Sequence, residues 1–170
     1  SKTAGPSGYT INNSLRFRAS ASATLSRTTG SPTSATTWTW SSWVKRGSLG
    51  SVQALLCGGS GGGTNSMIFF DSSDVFGVQF SGGTGGSITS TAVYRDPAAW
   101  YHVVIRVAAT TATVYVNGSQ VATGSVTPTY INANSTAQYI GWQNYSGSTR
   151  YFDGEMAEVN FIDGQALTPS

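Results

Sequence analysis

The 170-residue sequence has one cysteine, Cys57, and one histidine, His102. An internal disulfide is therefore unavailable, and a cysteine- or histidine-rich zinc site is short of ligands. Charge is scarce too: nine Lys and Arg against seven Asp and Glu leave a net +2, and no basic block exceeds Lys45-Arg46. Such a balance argues against nucleic acid as the main partner. Long apolar runs are missing as well. Met67-Ile68-Phe69-Phe70 and Val103-Val104-Ile105 are far too short to insert across a bilayer, and no secretory signal pattern is read at the start. Helical periodicity is almost absent.

What remains is hydroxyl, glycine and aromatic. Serine (25) and threonine (22) are joined by 21 glycines, and aromatics reach 12% with five Trp. A disordered chain would carry high net charge and few aromatics, so this one folds, and its length suits one domain. Short β-branched and aromatic stretches recur between Gly, Ser, Asn and Pro clusters: 15–18, 37–41, 52–56, 66–70, 75–80, 87–93, 100–107, 112–116, 120–123, 138–141 and 155–162. This spacing predicts roughly eleven to thirteen strands. Asn117-Gly118 between two alternating runs predicts a two-residue hairpin, because both positions of that turn need positive φ. The glycine runs 58–63 and 82–86 read as mobile loops between strands. Neither precedes a helix nor carries a phosphate-loop lysine.

Many short strands without helices predict an all-β fold of two packed antiparallel sheets, a jelly roll, with the five Trp between them. Residues 1–12 read as a lead-in arm and 13–170 as a single domain.

Four segments taken in order carry a family resemblance. They are Tyr9-Thr10-Ile11-Asn12-Asn13-Ser14-Leu15-Arg16-Phe17, and Trp38-Thr39-Trp40-Ser41-Ser42-Trp43-Val44-Lys45-Arg46-Gly47. Next comes the stretch from Tyr94 through Trp100-Tyr101-His102-Val103-Val104 to Val114-Tyr115-Val116-Asn117-Gly118. The last is Tyr151-Phe152-Asp153-Gly154-Glu155-Met156-Ala157-Glu158, continuing to Leu167-Thr168-Pro169-Ser170. Together they resemble the laminin-G-like, concanavalin-A-like domains of structural and fibre proteins of tailed bacteriophages. The resemblance implies a lectin-type jelly roll whose first strand pairs beside its last, and a module of a longer protein, since such relatives continue past the Leu-Thr-Pro-Ser stretch. It also places Trp38, Trp40 and Trp100 in the core. It further implies a virion structural module, displayed on the particle surface with other virion subunits as partners and, as in many fibres, a homo-oligomer. A carbohydrate-binding adhesin contacting a host-surface glycan is the alternative, because fold alone does not set function.

Residue chemistry argues against an enzyme. Glucanases of this fold set carboxylates at alternate positions of one strand, about 5 Å apart. Here Asp153 and Glu155 share a face, but Ala157 takes the third position and Glu158 lies on the other face. Glu158 is expected to pair with an arginine or backbone amides, and Asp153 to serve a turn. His102 sits in an apolar run with no nucleophile-elbow serine, so packing plus one hydrogen bond is its expected role. No cofactor is expected. Calcium is the one metal the resemblance raises, with Asp71 and Asp74 as the candidate ligands. Turn stabilisation is the competing role for both, and the metal stays unassigned. For a glycan, the segment 142–151 offers an aromatic platform with polar neighbours: Trp142, Asn144, Tyr145, Arg150 and Tyr151. Core capping is the competing role for Trp142 and Tyr151.

Overall fold

Alternation of buried and exposed side chains along β-branched, aromatic runs leaves each strand one face to bury, and two such sheets bury each other. The computed structural model describes residues 12–59, 64–145 and 148–169, excluding the side chains of 144, 145, 148 and 149. The lead-in arm, apart from Asn12, lies outside the described residues. In chain order the strands are β1 (Leu15–Phe17), β2 (Leu25–Thr28), β3 (Thr37–Arg46), β4 (Gln53–Gly59), β5 (Asn65–Phe70), β6 (Val75–Gln79) and β7 (Ser87–Val93). They continue as β8 (Tyr101–Ala108), β9 (Thr111–Val116), β10 (Ser119–Ser125), β11 (Ala137–Ile140), β12 (Asn144–Tyr145), β13 (Ser148–Thr149) and β14 (Gly154–Asp163).

Two six-stranded antiparallel sheets result, ordered β1-β14-β3-β8-β9-β10 and β2-β11-β4-β5-β6-β7, with β12-β13 as a separate small hairpin. The expected two-sheet jelly roll is the fold found. The first strand pairs with the last, Leu15 opposite Met156 and Phe17 opposite Gly154. Asn117 and Gly118 take φ of 51° and 80°, and Val116 faces Ser119 across the turn, so the hairpin forms as its dipeptide requires.

Side chains from both sheets meet in one core that includes Phe17, Trp38, Trp40, Ile68, Phe70, Phe76, Ile105 and Phe152. Of the five Trp, only Trp38 and Trp40 lie in it. Trp100 is half-buried, outside the core expected for it. Trp43 packs on His102, with ring centroids 5.0 Å apart, a cross-strand pair between β3 and β8 on the outward face of the first sheet.

Three further expectations are corrected. Of the 58–63 run, Gly58 and Gly59 are the end of β4 rather than a loop, and 60–63 lie outside the described residues. A Cβ at Gly58 would stand 2.5 Å from the Tyr130 carbonyl oxygen, so glycine there serves close backbone approach. The 82–86 run is a packed turn: the Phe80 amide donates to Gly86 O (2.9 Å), the Gly85 amide to Phe80 O (3.0 Å), and the Thr127 amide to Gly85 O (2.7 Å). Finally, β2 was not anticipated; all four of its residues are exposed, so it shows no alternation to read.

A β-bulge interrupts β14. Its register against β3 shifts between Ala157 and Asn160, and Glu158 takes φ of 52°. The carbonyl that the bulge frees at Ala157 accepts the hydroxyl of Ser42, a core residue, at 3.1 Å. Among the described residues, β1 pairs with β14 only between Gly154 and Met156.

The far end of β14 is pinned by Asp163, which accepts from the amides of Thr33 and Ser34 (3.2 Å) and from Asn132 Nδ2 (2.7 Å). Burial pushes this carboxyl up, but the Thr33 amide, the Asn132 side chain and the Ser34 amide outweigh it and hold it at about 2. A carboxyl lowered from the ordinary 3.8 stabilises the fold fully above its unfolded value and loses that contribution as pH falls through its folded value. Asp163→Asn should therefore cost about 1–2 kcal/mol at pH 7. Urea midpoints of variant and wild type should converge between about pH 4 and pH 2. A gap that persists at pH 2 would show that the side chain acts through something other than its charge.

Candidate functional site

The register that pairs Tyr139 with Cys57 and Ser26 turns Tyr139 to the outward face of the second sheet, away from the core. Three residues on, Trp142 meets it edge-on, centroids 4.6 Å apart at 87°. Tyr151 lies nearly parallel to Trp142 at 6.0 Å and 22°. All three rings are half-buried. The Trp142 indole nitrogen is shut off from solvent and has no hydrogen-bond partner among the described residues, so this group offers ring surface rather than the indole N–H.

Between Trp142 and Tyr151 the chain makes the β12-β13 hairpin, and its base is firmly held. The Gln143 and Arg150 amides and carbonyls bond reciprocally at 3.3 Å. Gln143, 2% exposed, donates from Nε2 to Asn65 Oδ1 at 2.7 Å and accepts from Arg150 Nη1 at 3.1 Å. Asn65 lies on β5, so these bonds fasten the hairpin to the second sheet. The Phe152 amide then returns to Gly141 O at 2.9 Å. The result is an aromatic group beside a guanidinium and phenolic hydroxyls, a surface that suits a ligand with both apolar faces and hydroxyls.

Of the candidate residues named from sequence, the fold brings Trp142, Arg150 and Tyr151 together; the side chains of Asn144 and Tyr145 lie outside the described residues. Tyr139, Gln143 and Asn65 were not singled out. Tyr139 had a readable signal, since alternation with Ile140 sends it to the opposite face. Asn65 had none, being 78 residues from its partner Gln143.

Asp71 and Asp74 have other work. Asp71 Oδ1 accepts the Ser73 amide (2.8 Å) and the Val75 amide (3.1 Å), which is the turn role. Asp74 Oδ1 lies 2.9 Å from Arg46 Nη2 and accepts the Gly50 amide at 2.8 Å, while Oδ2 accepts Arg95 Nε at 2.8 Å. A carboxylate between two guanidinium groups is a poor cation ligand. Among the described residues no group of three or more His, Cys, Asp and Glu side chains comes together.

Catalytic geometry is likewise thin. Glu155 accepts the Ser14 hydroxyl at 3.2 Å and lies 4.0 Å from Arg16. Glu158 is exposed on the bulge, and among the described residues no arginine pairs with it, contrary to expectation. Asp153 serves the turn through its carbonyl, which accepts the Gly47 amide at 2.8 Å. Burial lowers His102 below its ordinary value and pushes the Cys57 thiol up to about 12, so this thiol is a poor nucleophile.

A lectin-type β-sandwich with an aromatic group on its second sheet is the class these observations define. The chain belongs to the concanavalin A-like lectin/glucanases superfamily, whose laminin-G-type family model matches residues 17–170. No curated protein sequence matches it. Among solved structures it is similar to a Ruminococcus gnavus IT-sialidase CBM40 bound to α2,3 sialyllactose (15% identity, 95% of each chain, TM-score 0.63). It is also similar to a candidate carbohydrate binding protein from Bacteroides ovatus (16% identity, TM-score 0.69), covering 93% of this chain but only 45% of that one. The heptameric SAP-like pentraxin of Limulus polyphemus is a third (17% identity, 94% of this chain and 74% of that one, TM-score 0.62). At these identities the likeness is one of fold.

Proposed function

We propose that this domain is a non-catalytic carbohydrate-binding module, and that the Tyr139, Trp142 and Tyr151 group with Arg150 and the intervening hairpin forms its glycan contact. The observation that carries the reading is the three-ring group held half-exposed on the second sheet by the Asn65–Gln143–Arg150 bonds. The family, and the carbohydrate-binding proteins among the similar folds, support it. The absence of an aligned carboxylate pair on β14 supports the non-catalytic part. The virion setting suggested by the phage-protein resemblance has no support among the similar structures, so glycan binding takes precedence over a purely structural role. Display on a particle surface remains a proposal resting on that sequence resemblance alone.

Tyr151→Ala should weaken binding to the best hit of a glycan array about fivefold, corresponding to about 1 kcal/mol. Titration followed by intrinsic tryptophan fluorescence measures this, with an unchanged urea midpoint as the folding control. Unaltered affinity in Tyr151→Ala and Arg150→Ala together would remove this surface from consideration. Failure of the wild-type domain to bind any glycan would overturn the function itself.

A further inference from the structure

The space between the two sheets holds a second feature, distinct from the aromatic group. Between β2 and β11 of one sheet and β3 and β14 of the other lies a cavity of about 310 Å³, at the small end of the range for ligand pockets, about 300–1,000 Å³. Leu56, Ile140 and Phe161 give it apolar walls, and Leu25 and Val159 line it as well. Leu25 and Val159 are exposed (51% and 37%), as suits residues at its mouth. The β14 bulge contributes Val159, in keeping with the way bulges re-aim side chains.

The polar residues in its lining are Ser26, Arg27 and Gln138, together with the Trp40 indole. Arg27 and Gln138 line the cavity as a cross-strand pair, and Arg27 Nε donates to Gln138 Oε1 at 3.1 Å. That bond fixes the amide so that Nε2 is left as a donor. Gln138 Nε2 is buried without a partner among the described residues, and so is Trp40 Nε1 in another wall. Gln138 is 3% and Trp40 1% exposed. Buried donors of this kind are normally matched. An apolar chamber with two unmatched N–H donors and a guanidinium selects a ligand with an apolar body and an anionic acceptor.

We infer that this inter-sheet cavity binds a small apolar monocarboxylate, with its chain among Leu56, Ile140 and Phe161 and its carboxylate on Arg27, Gln138 Nε2 and Trp40 Nε1. The site is independent of the proposed glycan contact. Octanoate is the probe, titrated into the full chain while proton–nitrogen spectra follow the Trp40 indole and Gln138 side-chain amide. Both signals should shift saturably, with a Kd on the order of 100 µM. Octanol, equally apolar but uncharged, should bind about tenfold more weakly. Arg27→Gln, at an exposed position, should weaken octanoate about tenfold and leave octanol unchanged. Leu25→Trp should close the mouth to both. Absence of a saturable Trp40 shift overturns the inference, as does equal affinity for octanoate and octanol. Octanoate binding that survives Leu25→Trp would place the ligand elsewhere and overturn it too.

Discussion

Asp74→Asn is expected to destabilise the domain by about 3 kcal/mol or more, because it leaves Arg46 charged, buried and unmatched. The Arg46 side chain is 0% and that of Asp74 5% exposed, and the guanidinium lies 4.3 Å above the Phe70 ring. Its Nη1 donates to the Tyr94 carbonyl at 2.8 Å, so one side chain of the first sheet ties down the turn at Asp74 and the segment that follows β7. Burial pulls the Arg46 guanidinium below its ordinary value, against the hydrogen bond and charge of Asp74. Burial likewise pushes the Asp74 carboxyl up, but Gly50, Arg95 and Arg46 bring it below the usual carboxylate range. Its contribution is thus complete at neutral pH and fades on acidification through that lowered value. Asparagine is the right substitute because Asp74 has φ of 66°, a conformation Asn tolerates and Ala does not. Arg95→Ala is the control: that side chain is 57% exposed, and its ion pair should contribute about 1 kcal/mol or less. Urea denaturation separates the two. Equal losses would mean that burial does not govern this cluster.

The same pair shows where sequence reading stops. Alternation along 37–41 continues inward through Ser42, Val44 and Arg46, but a charged residue at an inward position breaks the hydrophobic pattern. Its partner is 28 positions away in a turn, and pattern reasoning has no access to that pairing. Local chemistry was legible where it is self-sufficient. Asn117-Gly118 specifies its turn by itself, and β8 and β9 announce themselves through Val and Ile. β2 is legible only from its neighbour: Leu25-Ser26-Arg27-Thr28 is polar and exposed, and becomes a strand by pairing with β11. The glycines at 58 and 59 look like a loop because composition does not reveal that the backbone passes against them, at Tyr130 for Gly58 and at Thr64 and Asn65 for Gly59.

The two proposed sites differ in the same way. The aromatic site was half legible, since Trp142, Arg150 and Tyr151 stand within one ten-residue stretch, while Tyr139 and Asn65 join only through register and a long-range hydrogen bond. The edge cavity was not legible at all. Arg27, Trp40, Gln138 and Phe161 come from four strands in two sheets, and what unites them is a void between the sheets.

Replacing the two tryptophans that sequence motifs treat alike, Trp38 and Trp100, should give unlike results. Trp38→Ala is expected to cost about 3–5 kcal/mol, the range for deleting a buried aromatic. Trp38 is 0% exposed, stacks on Phe161 at 5.4 Å and 27°, and meets the edge of Phe80 at 6.2 Å. One ring thus contacts β14 in its own sheet and the end of β6 in the other, so a cavity there cannot collapse without parting the sheets. Its indole N–H has no partner among the described residues, so Trp38→Phe should lose much less than Trp38→Ala, because it removes the unmatched donor while keeping most of the ring. Trp100→Ala, on a half-buried side chain just before β8, should cost about 1 kcal/mol. Denaturant midpoints of the three variants test the assignment, and a Trp100→Ala loss as large as that of Trp38→Ala would contradict it. The comparison also reaches the edge cavity. Phe161 is both the stacking partner of Trp38 and a cavity wall, so Trp38→Ala should loosen octanoate binding even under conditions where the variant is folded. Trp100→Ala should leave that binding unchanged, because Trp100 is not among the residues that line the cavity.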